Sequence, residues 1–223
     1  MTRTMQASEL RVGVTGQRAL SDEASVSRAV RALIADLDRT WDRPEAAPIA
    51  WTVVSALAAG ADCLVAEAVL EQPGARLEVI TPFALAEYRK DFTSPRDRER
   101  LERLLRRAAV VQELDAVSGD SQALAAGDRG SERNRAYLRG GEEVVRRCEL
   151  LIAIWNGRRA AGLGGTGDIV EHALTQERIV LWIDANQAER PTRVIRSIAY
   201  PAGDDAEVVS DPLPIDRRGW SRA

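Results

Sequence analysis

Residues 162–171 read Gly-Leu-Gly-Gly-Thr-Gly-Asp-Ile-Val-Glu. They follow an apolar run, Leu150 to Trp155, and precede an apolar-periodic run, Ile169, Val170, Ala173 and Leu174. A glycine-rich turn between a strand and a helix start is suited to holding a phosphate. Glycine allows positive φ and close backbone approach, and the first helical N–H groups have no partner inside the helix. Gly164, Gly165, Thr166 and Gly167 are therefore candidate phosphate or ribose ligands. A second turn of this kind, Val14-Thr15-Gly16-Gln17-Arg18, lies near the start of the chain. Two such turns on one sheet suggest a nucleotide or another phosphorylated ligand. They do not say whether it is bound or also cleaved.

Other candidates carry two readings each. Arg18 follows Thr15-Gly16 directly, which favours an anion contact over a solvated surface arginine. Asp62 is either a charge favouring a helix N-terminus or an acceptor for ribose hydroxyls. Arg133 and Asn134 are a polar first helical turn or part of the site. Trp155, at a strand end, reads as core before it reads as a platform for a base. His172, next to Glu171, reads as a surface or packing residue of its helix before it reads as a catalytic one. Glu171 comes one helical turn after Gly167, where it can face a crevice. A carboxylate there could stabilise an oxocarbenium-like ribosyl cation or activate water, which is the chemistry of N-glycosidic cleavage. It could equally be an exposed helical glutamate.

These groups need a scaffold. Leu10 to Thr15 is a short strand. Ser21 or Asp22 can cap a helix with Val26, Val30, Leu33, Ile34 and Leu37 inward. Trp51 to Leu57 is a second strand, and Gly60-Ala61-Asp62 opens a helix that Pro73-Gly74 ends. Leu77 to Thr81 is a third strand, Tyr88 to Arg107 mostly helix, and Ala109 to Leu114 a fourth strand. Ala116 to Gly130 reads as a mobile loop and Ser131 to Cys148 as a helix through Gly140-Gly141. Leu150 to Trp155 and Ile179 to Ile183 are strands five and six. Strands alternating with helices imply a doubly wound α/β domain, with a mostly parallel sheet and helices on both faces. The near-continuous apolar strands agree with burial on both faces. Ligands then bind beyond the strand carboxyl ends, where strand order reverses. The strand–helix pattern fades after about residue 186. This places a nucleotide-binding domain at 1–185 and a C-terminal extension at 186–223.

Composition narrows the classes. The 223 residues include 45% hydrophobic ones, which excludes wholesale disorder, and carry a net charge of −3. With a pI near 5.5, the whole molecule is not an electrostatic nucleic-acid binder. Arg96 to Arg107 holds six arginines among Asp97, Glu99 and Glu102. Mixed signs and inward leucines make it a salt-bridged helix, and without aromatics it is a poor single-strand groove. No nucleic-acid partner is expected. A single histidine and two distant cysteines, Cys63 and Cys148, point to free thiols and to no metal site or cofactor. No apolar run approaches a membrane span, and no signal peptide is evident. A cytoplasmic protein is expected.

Three motifs resemble a known group. Val12-Gly13-Val14-Thr15-Gly16-Gln17-Arg18 resembles a first-strand motif, usually Gly-x-Thr-Gly-His-Arg. Ser55-Ala56-Leu57-Ala58-Ala59-Gly60-Ala61-Asp62 is similar to a second-strand motif ending in Gly-Ala-Asp. Leu151 to Gly157, followed by Gly164-Gly165-Thr166, resembles the last signature. Together, over roughly residues 10 to 184, they resemble the SLOG superfamily of Rossmann-like domains, which joins the DNA-processing protein DprA with the LOG phosphoribohydrolases. The resemblance implies ligand contacts from Thr15, Gly16, Gln17, Arg18, Ser55, Gly60, Asp62, Arg133, Asn156, Gly157 and Gly164 through Asp168. Its members include nucleotide sensors, often in bacterial conflict systems, and enzymes cleaving nucleotide N-glycosidic bonds. Gln17 stands where histidine is usual, and Asn156 where aspartate is usual. The LOG pattern Gly-Gly-x-Gly-Thr-x-x-Glu recurs with Asp168 in place of threonine and with Glu171 at the catalytic glutamate. An aspartate at 168 can cap the helix itself, and its charge disfavours phosphate on the same N–H groups. The leading expectation is a nucleotide-binding or nucleotide-sensing module. A separate effector protein would supply its output, and self-association is open. The alternative is a LOG-like phosphoribohydrolase acting on a nucleoside monophosphate. A DNA-binding accessory protein is the third reading.

Overall fold

The computed structural model describes residues 8–41, 47–115, 131–201 and 203–214. An eight-stranded sheet forms the centre, in the order β4-β3-β2-β1-β5-β6-β7-β8. The strands are β1 (Ser8–Gly16), β2 (Ile49–Ser55), β3 (Arg76–Thr81), β4 (Val110–Glu113), β5 (Leu150–Trp155), β6 (Ile179–Asp184), β7 (Arg193–Ala199) and β8 (Glu207–Pro212). The first six pair in parallel, whereas β7 and β8 are antiparallel. This is an α/β architecture of Rossmann-like type, as the alternation of strands and helices predicts.

Alternate residues of each inner strand feed two different cores. Leu10, Val12, Val53, Leu77, Val79, Ile152 and Ile154 pack on one face, with α1 (Glu23–Thr40), α2 (Ala61–Val69) and Leu101 and Leu104 of α4 (Pro95–Leu105). Val54, Ile80, Leu151, Ala153, Trp155 and Val180 pack on the other. There they meet α5 (Ser131–Arg147) and α6 (Thr166–Thr175). Period-two side-chain direction thus explains why these strands are apolar throughout. Cys63 and Cys148 are both buried and free.

The helix boundaries follow local chemistry. Asp22 caps α1 by accepting from the Ser25 amide at 2.9 Å. Between β3 and β4 the chain does not run as one helix. A four-residue helix, α3 (Leu85–Tyr88), continues into a 3-10 turn, Arg89–Asp91. Then Ser94 caps a new start with Pro95 in the first turn. The loop expected at 116–130 lies outside the described residues. The segment after 185 carries β7 and β8, which extend the sheet past β6. Their exposed faces alternate polar with apolar residues, so no long apolar run marks them. Among the described residues no helix is long and apolar enough to cross a membrane.

Candidate functional site

Strand order reverses between β1 and β5, and there the connections leave the sheet in opposite directions. A crevice opens beyond the strand carboxyl ends at such a point. Here it is a cavity of about 680 Å³, lined by the loops after β1, β2, β3 and β5 and by one face of α5.

The lip after β1 is held from three sides. Gly16 pairs with Ile154 in the β1–β5 ladder. The Gln17 amide donates to the Ile154 carbonyl, and the Gln17 carbonyl accepts from the Ala61 amide, each at 3.1 Å. Gly60 has φ of +80°, and a Cβ there would lie 2.3 Å from the Arg18 carbonyl oxygen. Only glycine fits between the two loops. Arg18 itself is exposed, with its guanidinium 4.7 Å from the centre of the Tyr137 ring. No carboxylate among the described residues forms an ion pair with it. Arg133 differs: it pairs with Asp91 and with Glu87 at 3.4 Å, and its guanidinium lies 4.5 Å from the Phe83 ring centre. Tyr137 also donates to Asp91.

Behind this lip lies a buried polar floor. Asp62, in the first turn of α2, accepts from the Ser55 hydroxyl at 3.2 Å and the Ala58 amide at 3.3 Å. Burial pushes its carboxyl up to about 7, against the opposing pull of those bonds and of the Arg18 charge. Tyr88 also lines the cavity. Its hydroxyl is enclosed and, among the described residues, has no hydrogen-bond partner. Enclosure pushes its pKa well above the usual phenol value.

The opposite lip is the glycine turn at the start of α6. Gly164 has φ of +84°, and a Cβ there would lie 2.5 Å from the Leu138 amide nitrogen. The Gly164 amide donates to the Asp168 carboxylate at 2.8 Å, and the Gly165 amide donates to the Gly162 carbonyl at 3.2 Å. The helix N-cap is Gly165, without a side-chain cap. Asp168 thus reaches back onto the turn and places its charge beside the helix N-terminus.

Thr15, Gly16, Gln17, Arg18, Asp62, Arg133, Gly164, Gly165 and Thr166 share the cavity wall. Ser55 lies behind Asp62, and Gly60 behind Arg18. Gly167 is buried against the backbone of Ala160 and Arg158. Asn156 accepts from the Arg158 amide at 3.2 Å, and the Gly157 carbonyl accepts from the Ala206 amide at 2.7 Å. The first bond closes the turn on itself and the second ties it to the segment before β8, and neither residue lines the cavity. Trp155 is buried, its indole donating to the Arg158 carbonyl at 2.8 Å. Glu171 is exposed and outside the wall. Helix geometry explains it: Ile169 faces the cavity, and two residues further on the side chain is turned by about 200°. Tyr88, Lys90, Asp91, Thr93 and Tyr137 enter the wall without having been singled out in the sequence. Only Tyr137 had a signal, four residues after Arg133 on one helix face. Among the described residues no cluster of three or more His, Cys, Asp or Glu side chains is placed to hold a metal ion.

No family model matches the sequence, and no curated protein matches it either. Among solved structures, the chain is similar to DNA processing protein A of Helicobacter pylori, at 13% identity and a TM-score of 0.47. The match covers 78% of this chain and 64% of that one, so the chain spans less than two thirds of that protein's length. That protein is described as having a unique single-stranded DNA binding mode. The expectation of no nucleic-acid partner is corrected on that finding. Net charge and the mixed charges of Arg96–Arg107 describe the whole surface and one helix. They do not describe the local field of a crevice elsewhere.

Proposed function

We propose that the crevice between β1 and β5 binds a nucleotide-type ligand. Arg18 would hold its anionic group together with the backbone at the start of α6. One observation carries this reading. An arginine without an ion-pair partner among the described residues and a glycine-rich helix N-terminus, almost 150 residues apart, line the same cavity at the switch point of the sheet. A cavity of about 680 Å³ is the size of a small-molecule site. The resemblance of the first-, second- and fifth-strand motifs to the SLOG superfamily supports the same reading.

Titration calorimetry with nucleoside mono-, di- and triphosphates tests it. Arg18→Ala should weaken binding by ~1.5–3 kcal/mol, the range for a lost charge-assisted hydrogen bond. Unchanged affinity in a folded variant would remove Arg18 from the site. A single-stranded oligonucleotide belongs in the same panel. Its competition with a mononucleotide reports whether nucleic acid uses this crevice.

A further inference from the structure

The Tyr88 hydroxyl is the one polar group of the crevice wall that is both enclosed and, among the described residues, without a partner. The residue is 1% exposed. Its ring is fixed without help from the hydroxyl, by edge contacts to Phe83 at 5.8 Å and Phe92 at 5.4 Å between ring centres. A phenylalanine would keep those contacts. An enclosed donor with no partner costs free energy, and in a cavity wall that cost is recovered when a ligand completes the bond.

Asp62 lines the same cavity as Tyr88. One carboxylate oxygen is held by Ser55 and Ala58, so the group is oriented before any ligand arrives. A carboxyl group accepts and, when protonated, also donates, and a phenol donates and accepts. Two adjacent hydroxyls, each able to do both, match that pair. A phosphate does not, because it would face a carboxylate and would gain from Arg18 and the glycine turn instead.

We infer that Tyr88 and Asp62 form a sugar subsite on the crevice floor that takes the vicinal hydroxyls of a ribose, so that the crevice selects ribonucleotides over 2′-deoxyribonucleotides. This rests on the nucleotide-binding reading above and adds to it an orientation. The anionic end lies at Arg18 and the α6 N-terminus, and the sugar lies at the floor.

The test is calorimetry of the wild-type chain with the four ribonucleoside monophosphates, their 2′-deoxy counterparts and inorganic phosphate, repeated on Tyr88→Phe and Asp62→Asn. At least one ribonucleotide should bind about tenfold or more tightly than its deoxy form, because a site built for a hydroxyl rejects the analogue that lacks it. Tyr88→Phe should bring the pair within about twofold, leave inorganic phosphate binding unchanged, and raise the melting temperature of the ligand-free protein. Asp62→Asn should reduce the discrimination in the same direction. Equal binding of ribo and deoxy forms by the wild type would overturn the subsite while leaving the anion site standing. So would discrimination that survives Tyr88→Phe. If neither phosphate nor any nucleotide binds, the nucleotide reading falls and the subsite with it.

Discussion

The two lips of the crevice are built on opposite principles. On the β5 side the glycine turn satisfies itself: the Gly164 amide is taken by Asp168 and the Gly165 amide by Gly162. On the β1–β3 side groups are left open: the exposed Arg18 has no ion pair among the described residues, and the enclosed Tyr88 hydroxyl has no hydrogen-bond partner there. Asp62 there is enclosed enough to titrate near neutrality. The segment with the most conspicuous sequence signature therefore offers the ligand less than the plainer segment facing it. Selectivity would come from the packed side and closeness of approach from the glycine side.

The contrast breaks most easily where the packed lip has no slack. Gly60→Ala forces a side chain into positive φ and against the Arg18 carbonyl. It should cost roughly 3–6 kcal/mol in urea unfolding, combining backbone strain and overpacking. A wild-type midpoint would show that the lip yields.

Asp62 comes next. Its folded pKa is raised from 3.8 to about 7 by burial. The stability linked to the bound proton is therefore fully present below pH 4 and is lost as pH rises through 7. The loss should be on the order of 4 kcal/mol by pH 8. Asp62→Asn should flatten that part of the stability–pH profile. An unchanged slope between pH 4 and 8 would show that Asp62 is ionised throughout.

The glycine lip predicts smaller effects. Asp168→Ala frees the Gly164 amide and removes a charge at the helix start. It should tighten binding of inorganic phosphate by ~0.3–1 kcal/mol and cost ~0.5–1.5 kcal/mol of stability. Weaker phosphate binding in this variant would mean that Asp168 orders the turn for the ligand rather than competing with it. The least effect belongs to Glu171→Gln, exposed and outside the wall. It should change stability by less than ~0.5 kcal/mol and leave nucleotide affinity as it was. If wild type releases base from a nucleoside monophosphate and this variant does not, the hydrolase reading gains and the placement of Glu171 loses its bearing on function.

The inner strands, α1 with its Asp22 cap, and the turns after β1, β2 and β5 were legible in the sequence because apolar runs and capping residues are local signals. The interruption at Ser94-Pro95 was written there too, but a charged, leucine-bearing stretch on either side reads as one helix. β7 and β8 were not legible, since half-exposed antiparallel strands mix charge with apolar residues. The position of Glu171 follows from helical angle alone, once Ile169 is known to face inward. Nothing in the order of residues marks Tyr88, which shares a cavity with Asp62 only through the fold. Nor does it mark the raised titration of Asp62, which arises from enclosure.

Gln17 shows what this construction implies for motion. Its amide is bonded to β5 and its carbonyl to the start of α2, so two sequence-distant elements must separate before it is released. Amides of ligand loops ordinarily exchange with solvent through small local openings. The Gln17 amide should instead keep its deuterium lag until the middle of the sheet opens, whereas the exposed tip at Leu163 exchanges early. The part of the crevice that meets the ligand through Arg18 would then belong to the slowest cooperative unit of the molecule, and its shape would be settled during folding rather than at the encounter.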